Sequence, residues 1–127
     1  MAGLIHLDTN WLIRCLVKES AEAAAVLAWL RAEEPLACSS VCWYEFESGS
    51  PDPELRHVVL SVLSGGIEPW DRDCADMAAR LWAGAGRLRR LRVDAMIAAQ
   101  AIRAGARLAT NNRADFEAFV PMGLALL

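Results

Sequence analysis

The chain has little of several residue types that common active sites need. One lysine (Lys18), one tyrosine and two histidines (His6 and His57) serve 127 residues. The cysteines are Cys15, Cys38, Cys42 and Cys74, and only Cys38 and Cys42 lie close in sequence, with no second pair after them. A zinc centre therefore lacks ligands. The apolar neighbours of these cysteines suit small buried thiols in a reducing compartment. Eight glycines and five prolines exclude a collagen-like or low-complexity chain. No apolar run approaches the roughly 20 residues that cross a bilayer. The segment Met1 to Asp8 lacks the basic region and apolar stretch of a signal peptide, so the expected location is cytoplasmic, with no membrane partner. Basic residues number 13 against 16 acidic ones, a net charge of −3. That excludes a protein that wraps nucleic acid over its whole surface, and leaves open one that holds it on a local patch.

What is present describes a globular chain: 55% hydrophobic residues and 23% charged. The length is that of a single domain, residues 1–127. The apolar share is high for so small a protein, which places some of it on a partner interface.

The hydrophobic pattern alternates strands with helices. Leu4–Leu7 reads as a buried first strand ending at Asp8. Thr9 or Asn10 can cap a helix whose inner positions are Leu12, Ile13, Leu16 and Val17. Ser20 caps a second helix, Ala21–Ala32, with Ala24, Leu27, Ala28 and Leu30 as its buried stripe. Leu36–Ser39 is strand-like, and Val41 to about Glu47 turns helical. Gly49–Pro53 is a loop, and Pro53 opens a helix to about Leu63. Ile67–Trp70 reads as an edge strand, because Pro69 cannot donate to a ladder. Asp71 caps a helix to about Ala85. Arg87, Arg89, Arg90 and Arg92 make the one concentrated basic segment. Asp94 opens a helix carrying Ile97, Ala98, Ala101 and Ile102, stopped by Gly105. Arg107–Thr110 is a strand, and Met122–Leu127 adds a last one. This order predicts right-handed crossovers and an α/β fold: a three-layer α/β/α sandwich around a mainly parallel sheet of four or five strands. Short, nearly continuous apolar strands agree, since a parallel sheet is buried on both faces.

That pattern places carboxylates at one edge. In an open parallel sheet the carboxyl ends of the strands line the ligand crevice. Asp8 ends the first strand, Glu45 lies one turn into the helix after the second, and Asp115 lies just past the fourth. Asp94 starts the preceding helix and must project across to join them. Four carboxylates in one crevice raise one another's pKa and cost folding energy. A hard divalent cation, Mg²⁺ or Mn²⁺, relieves that repulsion and can serve phosphoryl chemistry. Each residue also has a plainer role. Asp8, Asp94 and Asp115 are all placed to cap helices, whereas Glu45 stands in an apolar stretch where an unpaired glutamate is seldom buried. Thr110 can hold a water or be an ordinary strand-end hydroxyl. Asn112 can fix its own turn or orient Asp115, and Asn10 can hold Asp8 or serve its turn. Trp11 lies near enough to Asp8 to stack a base, or belongs to the core. Arg87–Arg92 is either a solvated loop or a grip for a phosphate backbone.

Four elements give the chain a family likeness. They are Leu7-Asp8-Thr9-Asn10 after an apolar strand, Ser39-Ser40-Val41-Cys42-Trp43-Tyr44-Glu45-Phe46, Val93-Asp94-Ala95-Met96-Ile97-Ala98-Ala99-Gln100-Ala101, and Thr110-Asn111-Asn112-Arg113-Ala114-Asp115-Phe116. In this order, and over nearly the whole chain, they resemble a PIN-domain ribonuclease of the VapC type, the toxin of a toxin–antitoxin pair. The resemblance implies that Asp8, Glu45, Asp94 and Asp115 hold Mg²⁺ or Mn²⁺, with Thr110 and Asn112 as supporting polar residues of the catalytic site. It implies metal-dependent endoribonuclease activity on RNA such as a tRNA or rRNA, leaving a 5′-phosphate and a 3′-hydroxyl. It further implies a homodimer neutralised by a cognate antitoxin protein.

Two other readings compete. A phosphomonoesterase of the haloacid dehalogenase type also begins at an aspartate ending strand one. It wants a second aspartate two residues on, where this chain has Asn10, and a late lysine, which this chain lacks. The other reading is a non-enzymatic partner-binding α/β domain whose acids are caps. With His6 inside a strand and His57 remote from the acids, a metal-free ribonuclease route through paired histidines has no support.

Overall fold

A computed structural model describes residues 3–127. Met1 and Ala2, part of the segment considered above for a signal peptide, lie outside the described residues. Five short strands form one sheet: β1 (Ile5–Leu7), β2 (Leu36–Ser39), β3 (Gly66–Glu68), β4 (Arg107–Ala109) and β5 (Ala125–Leu126). Their order is β3-β2-β1-β4-β5, and each neighbouring pair is parallel. The central β1 puts Ile5 opposite both Leu36 and Arg107. The helices are α1 (Thr9–Arg14), α2 (Ala21–Arg31), α3 (Ser40–Ser48), α4 (Pro53–Val62), α5 (Arg72–Gly84), α6 (Arg92–Ala104) and α7 (Arg113–Phe116). Together they make the predicted α/β/α sandwich. Ile5, Leu7, Leu36, Cys38 and Leu108 are almost wholly buried, as sheet positions covered on both faces must be. None of the described helices is long and apolar enough to cross a membrane.

The chain runs from β1 outward through β2 to β3, then returns to β4 on the other side of β1. The strand order therefore reverses between β1 and β4, and at such a switch point the loops leave in opposite directions and open a crevice. Gly105 makes the return possible. It sits in the left-handed region at φ 68° and ends α6 two residues before β4.

Several helix details depart from the sequence pattern. The first helix is capped by Asp8, whose carboxylate accepts from the Thr9 N–H, and not by Thr9 or Asn10. It stops at Arg14, so Leu12 is buried but Ile13, Leu16 and Val17 are exposed. On α2 the buried positions are Glu22 and Val26, with Trp29 packed on the core, whereas Leu27 and Leu30 are exposed. Ala24 and Ala28 also face out. A helix with alanine and leucine on every side carries no clear phase. The Arg14–Glu22 ion pair at 3.0 Å and the Trp11–Trp29 stack at 5.4 Å set its orientation here. That stack puts Trp11 in the packing between α1 and α2. Asp94 does not cap α6, which begins at Arg92 with Leu91 in the capping position. Asp115 lies inside α7 and caps nothing.

One buried polar residue ties the layers together. Gln100 of α6 is 1% exposed. Its side-chain oxygen accepts from Ser40 Oγ and the Val41 N–H, and its nitrogen donates to the carbonyls of Glu68 and Pro69 at 2.9 and 3.1 Å. It thus fixes the start of α3 and the end of the edge strand against α6. Replacing Gln100 by leucine leaves these backbone groups unpaired in the interior. The expected loss is ~2–4 kcal/mol, read from denaturant unfolding.

Candidate active site

The switch point gathers residues from four separate stretches of chain. Asp8 follows β1, and its backbone N–H continues the pairing with β4 by donating to the Ala109 carbonyl at 3.0 Å. Thr110 follows β4. Its hydroxyl donates to Asp8 Oδ2 at 2.6 Å and accepts from the Asn112 N–H at 3.0 Å. The other oxygen of Asp8 accepts from the Thr9 N–H at 2.8 Å and from the Cys42 thiol at 3.6 Å. Asp8 is therefore buried and held by donors from three elements. Burial, and after it the charge of Asp8, pushes the Cys42 thiol far above its ordinary pKa, so it stays protonated and acts as a donor.

Glu45 reaches the crevice from α3. It stands exposed rather than buried among its apolar neighbours, and its Oε1 accepts from the Thr9 hydroxyl at 2.6 Å. Because α6 starts at Arg92, Asp94 falls in its first turn and is free to face the crevice. Asn112 Nδ2 spans two acids, at 3.1 Å from Asp115 Oδ2 and 3.5 Å from Asp94 Oδ2. The guanidinium of Arg90 is ion-paired with Asp115 Oδ1. The crevice encloses about 480 Å³ and is lined by Asp8, Thr9, Asn10, Glu45, Asp94 and Asn112 among others. Asn10 lines it without being hydrogen-bonded to Asp8. His57 is exposed on α4, away from this lining.

The acids feel one another. Burial raises the pKa of Asp94 from 3.8 to about 6, and the charges of Asp8, Asp115 and Glu45 push in the same direction, against a smaller downward pull from Arg90. The four carboxylates are hard oxygen donors, with no ionised thiol or imidazole in the set, so in kind they suit Mg²⁺ or Mn²⁺. Among the described residues, no three acidic, histidine or cysteine side chains stand close enough, as placed, to enclose an ion. Each of the four acids is engaged instead by a neighbour: Asp8 by Thr110, Glu45 by Thr9, Asp94 by Asn112, and Asp115 by Asn112 and Arg90.

Three contacts escape a reading of the sequence. Thr9 looks like a cap and orients Glu45; Cys42 looks like core and touches Asp8; Arg90 looks like one arginine in a basic run and pairs with Asp115. Glu45 also borders an apolar pocket of about 340 Å³ walled by Tyr44, Trp70, Val93 and Met96.

Comparison with known proteins bears on this arrangement. The family model described as PIN domain matches residues 5–119. Among solved structures, VapBC2 from Rickettsia felis bound to a DNA fragment from the promoter is 23% identical with a TM-score of 0.77, covering 98% of this chain and 97% of that one. FitAcB from Neisseria gonorrhoeae is 24% identical with a TM-score of 0.72, covering 97% and 96%. A toxin–antitoxin complex from Klebsiella pneumoniae is 27% identical with a TM-score of 0.68, covering 91% and 90%. No curated protein sequence matches closely enough to count as a relative.

Proposed function

The chain belongs to the PIN-domain family, and from that premise we propose that it is a single-domain, Mg²⁺- or Mn²⁺-dependent endoribonuclease acting as the toxin of a toxin–antitoxin pair. What supports the reading, beside the family match, is that Asp8, Glu45 and Asp94 line one crevice at the switch point and Asp115 is linked to it through Asn112. These four residues would hold the ion. When bound, a divalent cation supplies Lewis-acid activation of water and of the phosphoryl group. The protein's own part is to place and shield. Thr110, the Thr9 N–H and the Cys42 thiol fix Asp8 in one orientation, and Thr9 Oγ1 fixes Glu45. Asn112 ties Asp94 to Asp115. Arg87 and Arg89, exposed at the approach to α6, suit the phosphates of an incoming strand. The pocket beside Glu45, walled by Tyr44 and Trp70, suits an unpaired base, which favours single-stranded RNA.

The partner reading draws on two supports. The similar structure from Klebsiella pneumoniae is described as a toxin–antitoxin complex. This chain also exposes Ile13, Leu16 and Val17 at and beyond the end of α1, and Leu27 and Leu30 on α2. That apolar surface suits a cognate antitoxin or a second copy of the chain.

The test uses purified protein and single-stranded RNA with Mn²⁺ or EDTA. We expect cleavage with Mn²⁺ that leaves 5′-phosphate ends, none with EDTA, and a loss of at least ~100-fold in Asp8→Asn, the scale of losing a charged group at a metal site. Induced expression should arrest growth with the wild-type chain and not with Asp8→Asn. Equal cleavage by both proteins, or 2′,3′-cyclic ends, would point to another nuclease.

A further inference from the structure

Arg90 is the one cation, among the described residues, ion-paired to any of the four crevice acids. The other arginines of its segment behave differently. Arg92 lies over the Trp82 ring, and Arg87 and Arg89 are in no ion pair. Arg90 sits in a short 3-10 turn, Arg89–Leu91, directly before α6. Its side chain is 62% exposed and that of Asp115 is 28% exposed, so the pair sits at the rim, with the guanidinium largely in solvent. Asp115 Oδ2 is taken by Asn112, which leaves Oδ1 as the oxygen the arginine covers.

A carboxylate oxygen that is hydrogen-bonded to a guanidinium offers less charge and less open space to a metal ion. A divalent cation entering among the four acids also repels a guanidinium a few ångströms away. The two positive groups therefore exclude each other at Asp115. Once displaced, an arginine on an exposed turn at the rim can form paired hydrogen bonds to a phosphate. Resting on the metal-dependent nuclease reading above, we propose that Arg90 is the internal counter-ion of the crevice. It occupies Asp115 in the ion-free protein, competes with a divalent cation for that carboxylate, and turns to an RNA phosphate when the cation is bound. The arrangement couples the two ligands. The ion binds less tightly than the four acids alone would bind it, and the arginine becomes available to RNA only in the ion-loaded protein.

The test is Mn²⁺ binding to the full chain without RNA, followed by electron paramagnetic resonance. Arg90→Gln should bind Mn²⁺ ~10-fold tighter than wild type, a factor equivalent to one strong charge interaction. Arg89→Gln removes the same charge one residue away and should change affinity by less than about twofold, because exposed charges at a distance are screened. Arg90→Lys, which keeps the charge but loses the planar fork, should fall between wild type and Arg90→Gln. A merely structural role for Arg90 would weaken the site when removed, not tighten it. At saturating Mn²⁺, Arg90→Gln should raise KM for RNA by about threefold, with the smaller change in kcat, as loss of a phosphate contact requires. Tightening by Arg89→Gln equal to that by Arg90→Gln, or no tightening by either, overturns the competition. An unchanged KM overturns the phosphate role. If wild type and both Arg90 variants all fail to bind Mn²⁺, the metal reading itself falls, and this proposal with it.

Discussion

Asp94→Asn should yield a protein that is inactive and, without divalent cations, more stable than wild type. In the folded chain this carboxyl titrates near 6 rather than 3.8, first because it is partly buried and then because Asp8, Asp115 and Glu45 surround it. A raised carboxyl pKa means that the folded state binds the proton more tightly than the unfolded state. The fold gains stability as pH falls from about 6 toward 3.8, and at pH 7 it bears the full cost of the charge. Allowing for a side chain in contact with solvent, that cost is ~1–2 kcal/mol. Asparagine keeps the shape, removes the charge, and should raise the unfolding free energy at pH 7 by this amount in EDTA. Excess Mn²⁺ should reverse the ranking. Only wild type keeps the full set of four acids, and a ligand present at 100 times its Kd stabilises by ~2.7 kcal/mol. RNA cleavage should fall by at least ~100-fold, since one of the four charges is gone. Denaturant unfolding of both proteins, with EDTA and with Mn²⁺, checks the crossover. If asparagine destabilises in EDTA, the four acids do not repel one another enough to matter.

The same crevice marks how far the sequence could be read. The strands were legible because Leu4–Leu7, Leu36–Ser39 and Arg107–Thr110 are short apolar runs, and a parallel strand buried on both faces has no alternation to disguise it. Their order then implied which loops share an edge, and Asp8, Glu45, Asp94 and Asp115 do face one crevice or its rim in the structure. Three of them depart from the local expectation. Glu45 was singled out for burial, but it is exposed and oriented by Thr9. Asp94 and Asp115 both suit a cap by position, but α6 starts two residues before Asp94, and Asp115 lies inside α7. Helix phase was legible only where the polar positions were distinct. On α6, Ile97, Ala98 and Ala101 are buried as the period predicts and Ile102 is half-buried, because Arg92 and Arg103 mark the other side. On α2 the run Ala23-Ala24-Ala25-Val26-Leu27-Ala28 marks no side, and the inward face became evident only through Glu22, Val26 and Trp29. Contacts such as Arg90 with Asp115 or Cys42 with Asp8 join residues 25 and 34 positions apart, and no local pattern encodes them.

The second large effect comes from His6, which the switch point does not use. It lies at the centre of β1, opposite Ala37 and Leu108, and is 1% exposed. Neither ring nitrogen has a hydrogen-bond partner. Burial lowers its pKa from 6.5 to about 4. The unfolded chain therefore takes up a proton near pH 6.5, while the folded chain resists until about pH 4. Stability is whole above about 6.5 and drains away as pH falls between those values, by ~3 kcal/mol at the lower end. Asp94 works in the opposite direction over the overlapping range, so the wild-type profile alone shows only a difference of the two. His6→Leu isolates the imidazole. It fills a similar volume, leaves no unsatisfied nitrogen in the strand, and should match or exceed wild type at pH 7.5, because a neutral ring with two unpaired polar atoms already costs ~1–3 kcal/mol. Unfolding midpoints for both proteins between pH 7.5 and 4.5 should diverge as the solution is acidified, with the leucine variant ahead by a further ~2–3 kcal/mol at the acid end. Parallel curves would mean that the folded chain protonates His6 as readily as the unfolded chain does, which a dry, unpartnered imidazole between two parallel strands cannot do.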